Sequence, residues 1–247
     1  MSPNNTPALY AMLRVKNEAP WIAGCLNSLT AAGVERCFVL DDGSIDGTKA
    51  ICESLGARAT VSPFFGFDEA RDKNFLLGLM LQHSCSEEDW IICIDGDEEL
   101  TNSRSVIQAA ITFPKADAYS FKIDYLWNDE EHVRTDGWLG DFWRGSLWRA
   151  GAAKEGFRNT PYPGNLHCSN IPGGFGVVER LPVRVLHYGY MHYADRLRKF
   201  RLNKERDRAN RERYEQLVIG DVFPADSVIG DCGPLQLSKR EELLPLA

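Results

Sequence analysis

Short apolar runs alternate with helical patterns along the first half of the chain. The runs have the length and composition of strands, and the segments between them repeat apolar residues at helical spacing. The predicted strands are residues 9–15, 35–40, 58–61 and 90–94, and the predicted helices are residues 21–29, 47–55, 68–82 and 103–112. This alternation is typical of βα units on a parallel sheet, and it predicts the α/β fold class.

The pattern changes after residue 112. Residues 118–150 and 175–188 are rich in aromatic residues and turns, which predicts antiparallel strands. Residues 193–213 have a helical pattern, and the residues after them predict loops with short helical pieces. We therefore expect a mixed sheet flanked by helices, with a parallel first half.

Composition favours a globular protein with a sizeable core, because 44% of the 247 residues are hydrophobic and 26% are charged. The formal net charge of −7 argues against general nucleic-acid binding. The seven scattered cysteines form no CxxC pair, which favours reduced thiols over a zinc or redox motif. Residues 1–6 lack the features of a signal peptide, and no apolar run approaches the roughly 20 residues of a membrane span. We expect a cytoplasmic protein, with any membrane contact peripheral at the inner face.

Acidic clusters follow two of the predicted strands, at residues 41–42 and 95–99. In open α/β sheets, ligands bind at the edge formed by the carboxyl ends of the strands. Two carboxylates as close as Asp95 and Asp97 repel each other unless a cation lies near them, and oxygen ligands of this kind suit Mg²⁺ or Mn²⁺. A solvated acidic turn is the alternative, and the continuation of the acidic run through residue 99 favours it.

Four motifs follow one another in this half. They read LRVKNE at residues 13–18, VLDDGSIDGT at 39–48, ARDKN at 70–74 and WIICIDGD at 90–97. In this order they resemble the motifs of the family 2 glycosyltransferases, which are metal-dependent enzymes that use nucleotide-sugars. The resemblance implies a GT-A-type fold with a nucleotide-sugar-binding half at 8–112, an acceptor half with a basic helix at 113–213 and a C-terminal tail at 214–247. The catalytic domain that contains the first two segments would be residues 1–213.

The resemblance assigns nucleotide-binding roles to several motif residues. Asp42 would accept the uracil N3–H, and Asp41 would help to hold the base or the ribose. Glu18 would lie at the same pocket, and Arg71 would lie near the diphosphate. Residues 15–16 read Val-Lys where family members often have Thr-Tyr, which leaves the stacking partner of the base open.

The same resemblance implies a metal site. Asp95 would bind the ribose or the metal, Asp97 would bind the metal directly, and His187 would bind the metal from the opposite side. The metal would be Mn²⁺ or Mg²⁺, and it would neutralise the charge on the departing diphosphate. A satisfied core or turn histidine is the alternative for His187.

The catalytic base is less clearly marked. Family 2 enzymes are predominantly inverting, so the resemblance implies a carboxylate that takes the proton of the acceptor hydroxyl. Asp141 and Glu155 are the candidates, with Asp136 a third. Residues 167–170 read His-Cys-Ser-Asn where related small transferases often carry His-Glu, so the carboxylate expected there is missing.

The second half also contains an aromatic segment, and we expect one or two of its tryptophans to face an acceptor while the others fill the core. The tryptophans are Trp127, Trp138, Trp143 and Trp148. Residues 196–213 carry nine Lys or Arg against three acids. This basic segment predicts a helix face laced with ion pairs, or else contact with a membrane surface, a phosphorylated acceptor or nucleic acid, although nucleic acid is disfavoured by the net charge.

The combined prediction is a transferase that moves a sugar from a UDP-sugar to an acceptor hydroxyl with inversion. The acceptor would be a glycan, a lipid-linked sugar or a protein. A sugar nucleotidyltransferase is one alternative, but residues 14–20 contain no glycine for the loop that such enzymes use. A non-catalytic sugar- or partner-binding protein on the same fold is the other.

Overall fold

The computed structural model describes residues 7–82, 86–101, 103–152, 162, 169–173, 175, 177–243 and 246. The chain divides into two compact units. Unit 1 comprises residues 1–121 and 144–183, and unit 2 comprises residues 122–143 and 184–247.

The first part of unit 1 alternates strands and helices as the sequence predicts. Its strands are β1 (Leu9–Val15), β2 (Arg36–Asp41), β3 (Arg58–Val61), β4 (Trp90–Cys93) and β5 (Glu98–Thr101). Its helices are α1 (Ile22–Ala32), α2 (Thr48–Ser54), α3 (Glu69–Leu81) and α4 (Arg104–Thr112). Strand β5 is the one element here that the hydrophobic pattern does not predict, because its sequence continues the acidic run.

The later elements begin with strands β6 (Ala118–Trp127), β7 (Asp129–Arg134), β8 (Phe142–Arg149) and β9 (Val178–His187). Strand β10 (Leu237–Lys239) follows near the end of the chain. The helices are α5 (Gly137–Gly140), α6 (Tyr193–Arg206) and α7 (Arg211–Gln216). The predicted helix over 193–213 is therefore interrupted after residue 206, and the predicted boundary at residue 213 falls inside α7. The chain passes between the two units within β6, β8 and β9.

The sheet of unit 1 is mixed. Strand β1 pairs in parallel with β2 on one side and with β4 on the other, and β2 pairs in parallel with β3. Strand β8 pairs antiparallel with β4, which gives the order β8-β4-β1-β2-β3. This is the mixed α/β sheet flanked by helices that the sequence predicts. Because β1 lies between β2 and β4, the carboxyl ends of these three strands meet at one edge.

Both faces of this sheet are covered, which explains why its strands read as continuous apolar runs. Met12, Leu40 and Ile91 belong to a buried cluster that also contains Leu77 of α3 and Trp148 of β8. Neighbouring strand residues that point to the other face are buried as well. The acidic residues at the ends of β2 and β4 are therefore held by rigid, fully packed strands.

Unit 2 contains an antiparallel hairpin of β6 and β7, in which Leu126 lies opposite Val133. Asn128 makes the turn with a φ of 72°, a left-handed conformation that asparagine tolerates. Strand β10 pairs antiparallel with β7, so the C-terminal segment is part of this sheet.

The described cysteines are buried thiols; they are Cys25, Cys37, Cys52, Cys93 and Cys232. Among the helices of the described residues, none is long and apolar enough to cross a membrane.

Candidate functional site

The loops after β1 and β2 are bonded to each other by residues of the first two motifs. The Asn17 N–H donates to Ser44 Oγ over 2.9 Å, and Asn17 Oδ1 accepts the Ile45 N–H over 2.9 Å. The Glu18 N–H donates to Thr48 Oγ1 over 2.8 Å. These bonds explain why the motifs contain short polar residues: they build the loops at the edge of the sheet.

The two aspartates that end β2 are held differently. Asp41 is buried, and its Oδ1 accepts the Ser44 N–H over 2.8 Å, which closes the turn. The Oδ2 atom of Asp42 lies 2.8 Å from Arg14 Nη2 and 3.3 Å from Lys16 Nζ. Asp42 is thus the aspartate that is bonded to cationic side chains of β1 and its loop.

Arg14 connects Asp42 to helix α3. Its Nε donates to Asp72 Oδ2 over 2.7 Å, and Arg71 Nε donates to Asp72 Oδ1 over 2.9 Å. Asp72 is fully buried, so these charge-assisted bonds offset the cost of removing its carboxylate from water. Sequence reasoning gave Arg14 and Asp72 no role. An arginine inside an apolar strand is nevertheless a signal from which a buried acidic partner could have been predicted.

Arg71 also holds the loop after β3. Its Nη1 donates to the Phe65 carbonyl over 3.1 Å and its Nη2 to the Gly66 carbonyl over 2.7 Å. Its guanidinium stacks on Phe64, and that of Arg14 stacks on Phe67, each 4.6 Å from the ring centroid. The guanidinium of Arg71 therefore organises this loop, and its role near a diphosphate stays a prediction.

Glycine 96 brings Glu18 close to the acidic turn after β4. A Cβ at Gly96 would lie 2.9 Å from Val15 Cγ1 and 3.1 Å from Glu18 Cγ. The turn between Asp95 and Asp97 therefore packs directly on the end of β1, and a larger residue would displace it. Glu18 and the two aspartates, which the sequence assigns to one site, are brought together in unit 1.

An arginine on β8 lies on this acidic turn. Arg144 Nη1 is 2.8 Å from Asp95 Oδ2, and Arg144 Nη2 contacts Glu98 Oε2. Glu98 Oε2 also accepts the Asp95 N–H over 2.9 Å. Burial raises the pKa of Glu98 to about 7, with Arg144 opposing this rise and the carboxylates of Asp95 and Asp97 adding to it. Sequence reasoning did not single out Arg144.

The acidic turn fits a divalent cation by residue type. Glu98 Oε1 is buried and, among the described residues, has no hydrogen-bond partner, so this cluster has unused acceptor capacity. No three His, Cys, Asp or Glu side chains of the described part of the chain are grouped so that they could hold a metal ion by themselves. Mg²⁺ and Mn²⁺ sites of this kind use one or two carboxylates, and phosphate oxygens and water complete the shell.

The family model for glycosyl transferase family 2 matches residues 12–162 of the chain. The chain belongs to this family. The match includes all the unit 1 residues described above, from Arg14 to Arg144. The family 2 membership agrees with the GT-A-type fold expected from the motifs.

Curated relatives support the same family. An uncharacterized glycosyltransferase of Rickettsia felis is 40% identical over 93 residues, which cover 38% of this chain and 30% of that protein. One from Rickettsia conorii is 33% identical over 101 residues, or 41% of this chain and 33% of that protein. The matches span about a third of the length of these relatives.

Solved structures show more distant similarity. Glucosyl-3-phosphoglycerate synthase from Mycobacterium tuberculosis, in complex with Mn²⁺, UDP and glucosyl-3-phosphoglycerate, is 19% identical with a TM-score of 0.37, over 48% of this chain and 44% of that one. TarS (residues 1–349) from S. aureus is 14% identical with a TM-score of 0.47, over 85% of this chain and 70% of that one. These values are too low to support conclusions about ligands.

In this family 2 chain, the described segment 169–173 is anchored in unit 1 through Asn170. Asn170 is buried; its Oδ1 accepts a bond from Lys73 Nζ over 2.8 Å, and its Nδ2 donates to the Cys93 carbonyl over 3.3 Å. The lysine of the ARDKN motif thus holds the chain against the end of β4. Residues 167 and 168 lie outside the described residues.

His187 lies in unit 2, where it ends β9 among aromatic rings. Its ring centroid is 5.0 Å from that of Tyr125 and 4.5 Å from that of Tyr190. Tyr125 stacks on Tyr190 with centroids 5.3 Å apart, and it also contacts Trp138 and Phe142. We name these five residues the aromatic cluster. Metal binding by His187 stays a prediction.

The four tryptophans of the aromatic segment divide into two pairs. Trp127 and Trp148 are fully buried, which makes them core residues. Trp138 and Trp143 are partly exposed, and the indole N–H of Trp143 donates to Asp141 Oδ1 over 2.9 Å. Contact of Trp138 or Trp143, the partly exposed pair, with an acceptor stays a prediction.

The base candidates have very different surroundings. Asp136 is buried in a bidentate ion pair with Arg134, with both bonds 2.9 Å long. The Asp141 side chain is 71% exposed, with Lys122 Nζ 3.9 Å away. Glu155 lies outside the described residues. Asp141 thus stays a candidate base, whereas the carboxylate of Asp136 serves the structure of unit 2.

The basic segment is largely engaged within unit 2. Arg196 is buried, stacks on Trp127 with its guanidinium carbon 4.3 Å from the ring centroid, and pairs with Asp221 over 2.7 Å. Other cations form surface ion pairs with acids three or four residues away, which confirms the predicted ion-paired helix face at these positions. These pairs are Arg198–Asp195, Arg208–Glu205 and Arg211–Glu215. Membrane contact through this segment stays a prediction.

Proposed function

We propose that the chain transfers a sugar from a UDP-sugar to an acceptor hydroxyl, with inversion and with Mn²⁺ or Mg²⁺ bound at the acidic turn. The observation that carries this proposal is the placement of Asp42 and Asp97. They follow β2 and β4, which both pair with β1, so one nucleotide diphosphate at this edge would reach both carboxylates.

Uridine is the nucleoside that best suits Asp42. Arg14 and Lys16 both bind its Oδ2 atom, so its Oδ1 atom is the oxygen that would accept an imide N–H. A charge-assisted bond to this carboxylate would favour the imide over a base that presents only acceptors at this position. Lys16 and Arg71, which contact Asp42 and Asp72 respectively, would add positive charge for a diphosphate.

A divalent cation at Asp97 and Asp95 would stabilise the charge that develops on the departing UDP. The packing of Gly96 on Val15 and Glu18 fixes the positions of these carboxylates. Glu18 would then bind the nucleotide from the end of β1.

Unit 2 supplies the proposed acceptor residues. The aromatic cluster and Trp143 have the flat apolar faces that stack on sugar rings. Asp141 is exposed and bonded to Trp143, so it is the described carboxylate that we propose as the base. The acceptor class, whether glycan, lipid-linked sugar or protein, would be decided by these residues.

The test is release of UDP from a panel of UDP-sugars with Mn²⁺ and candidate acceptors. Asp97→Ala should lower turnover at least about 100-fold while the thermal unfolding profile is retained. Asp226→Asn, which changes an exposed aspartate of unit 2, is the control and should leave turnover unchanged.

The same assay separates the alternatives. Binding of UDP-sugars without turnover for any acceptor would favour a non-catalytic binding protein. Formation of pyrophosphate from UTP and a sugar phosphate would favour a nucleotidyltransferase. Unchanged turnover in Asp97→Ala would contradict the proposed cation site.

A further inference from the structure

Arg144 occupies the side of the acidic turn where a cation is expected. Its guanidinium bridges two carboxylates, with Nη1 2.8 Å from Asp95 Oδ2 and Nη2 in contact with Glu98 Oε2. A planar guanidinium can bind two carboxylates at once in this way, whereas a lysine is a point charge. The oxygens of Asp95 are the ones that a divalent cation would also need.

The two ends of this bridge differ in burial. The Asp95 side chain is 49% exposed, whereas the Glu98 side chain is fully buried. An exposed ion pair contributes little free energy because water screens it, but breaking a buried pair leaves a charge without compensation. The bond to Asp95 is therefore the weaker one, and it can open while Arg144 stays on Glu98.

We propose that Arg144 is an exchangeable counter-ion of the acidic turn. It holds Asp95 while no nucleotide or metal is bound, and it gives up Asp95, but not Glu98, when a divalent cation binds. Arg144 thereby sets the affinity of the cation site. The inference rests on the proposed function, because it requires that Asp95 and Asp97 bind a divalent cation.

The charges of the turn predict the direction in which removal of Arg144 changes the affinity for a divalent cation. The carboxylates of Asp95, Asp97 and Glu98 attract a divalent cation, and the guanidinium a few ångströms away repels it. Removing the guanidinium also removes its bond to Oδ2 of Asp95. A positioning role, in which Arg144 orients Asp95 for the metal, predicts the opposite direction.

The experiment measures Mn²⁺ binding to the whole chain without nucleotide, by isothermal titration calorimetry and by the electron paramagnetic resonance signal of free Mn²⁺. Arg144→Gln should bind Mn²⁺ about tenfold more tightly than the unmodified chain. Arg149→Gln is the matched control: it lies on the same strand, pairs with Asp117 over 2.6 Å, and should leave the affinity unchanged.

A second variant allows the same test if Arg144→Gln does not fold. Arg144→Lys keeps the charge but cannot bridge both carboxylates, so its Mn²⁺ affinity should fall between those of the unmodified chain and Arg144→Gln. Unchanged or weaker binding in a folded Arg144 variant would overturn the inference alone. Absence of Mn²⁺ binding in every protein, the unmodified chain included, would remove the proposed cation site and the inference with it.

Discussion

At the residue scale, unit 1 keeps its polar residues in place by alternating charges. Asp42, Arg14, Asp72 and Arg71 follow one another, with each contact between opposite charges no longer than 2.9 Å. Because Asp72 is fully buried, its two arginines are required for its charge to be tolerated there. The same bonds fix the guanidinium of Arg14 beside Asp42, so stability and the proposed nucleotide binding depend on one network.

Asp72→Asn should lower the free energy of unfolding by about 3–5 kcal/mol, because it removes one partner of a buried ion pair. It should also weaken UDP binding, since Arg14 would lose the bond that orients it. Urea unfolding and calorimetric titration with UDP measure the two effects. Glu53→Gln is the control: Glu53 pairs with Lys49 at the surface, where a loss of about 1 kcal/mol or less is expected. Equal stability of the two variants would contradict the network.

At the scale of elements, the turn after β4 depends on a close approach. Val15 ends β1, and its Cγ1 lies where a Cβ at position 96 would clash. The loops after β1 and β2 are bonded to each other, so the turn has rigid neighbours. A glycine between the two aspartates is therefore a packing requirement of the sheet edge.

Gly96→Ala should destabilise the chain by about 1–3 kcal/mol, because the new methyl group forces Val15 or the turn to move. Turnover of the UDP-sugar should fall as well, since Asp95 and Asp97 would shift together. The double variant Val15→Ala/Gly96→Ala removes the atom in conflict and should recover part of the stability relative to Gly96→Ala. Thermal unfolding of the two single variants and the double variant measures this; no recovery would mean that the clash is not with Val15.

The elements also show what the sequence can and cannot predict. Strands β1, β2 and β4 and helix α3 follow from local periodicity, and the proposed site residues Glu18, Asp42 and Asp97 were predicted from motifs beside them. The role of Arg144 depends on the pairing of β8 with β4, and no local pattern specifies that two segments more than fifty residues apart are neighbours. The interruption of the basic helix after residue 206 was likewise missed, since Arg208, Ala209 and Arg211 beyond it are good helix formers.

At the scale of the whole molecule, the predicted site residues are distributed over both units. Asp42, Asp95 and Asp97 belong to unit 1, and Asp141 and His187 belong to unit 2. The C-terminal segment is secured within unit 2 by Asp136, which accepts the Gly233 N–H over 2.6 Å and the Gln236 N–H over 3.1 Å. Residues far apart in sequence are thus joined through one carboxylate, which sequence reasoning had considered as a base.

Acid should destabilise unit 2 through Asp136. Burial acts to raise the pKa of Asp136, but bonds from Arg134 and two backbone N–H groups outweigh it and hold the pKa below its ordinary value of 3.8. Because the pKa is lower in the folded than in the unfolded chain, the stabilisation is complete above about pH 4 and is lost as the pH falls through the folded pKa.

Asp136→Asn should therefore be less stable than the unmodified chain at pH 7, by about 3–5 kcal/mol, and the difference should shrink below about pH 4. Urea unfolding followed from pH 7 to pH 3 by circular dichroism measures both. A difference that stays constant over this range would mean that Asp136 does not titrate as described.

The bonds that join Asn17 to Ser44 and to Ile45 have one more consequence. A nucleotide that binds at this edge, as proposed, would meet loops that are already bonded to each other, so less backbone freedom would be lost on binding. The entropic cost of forming such a complex would then lie mainly with the ligand, and recognition at this edge would resemble a lock and key more than an induced fit.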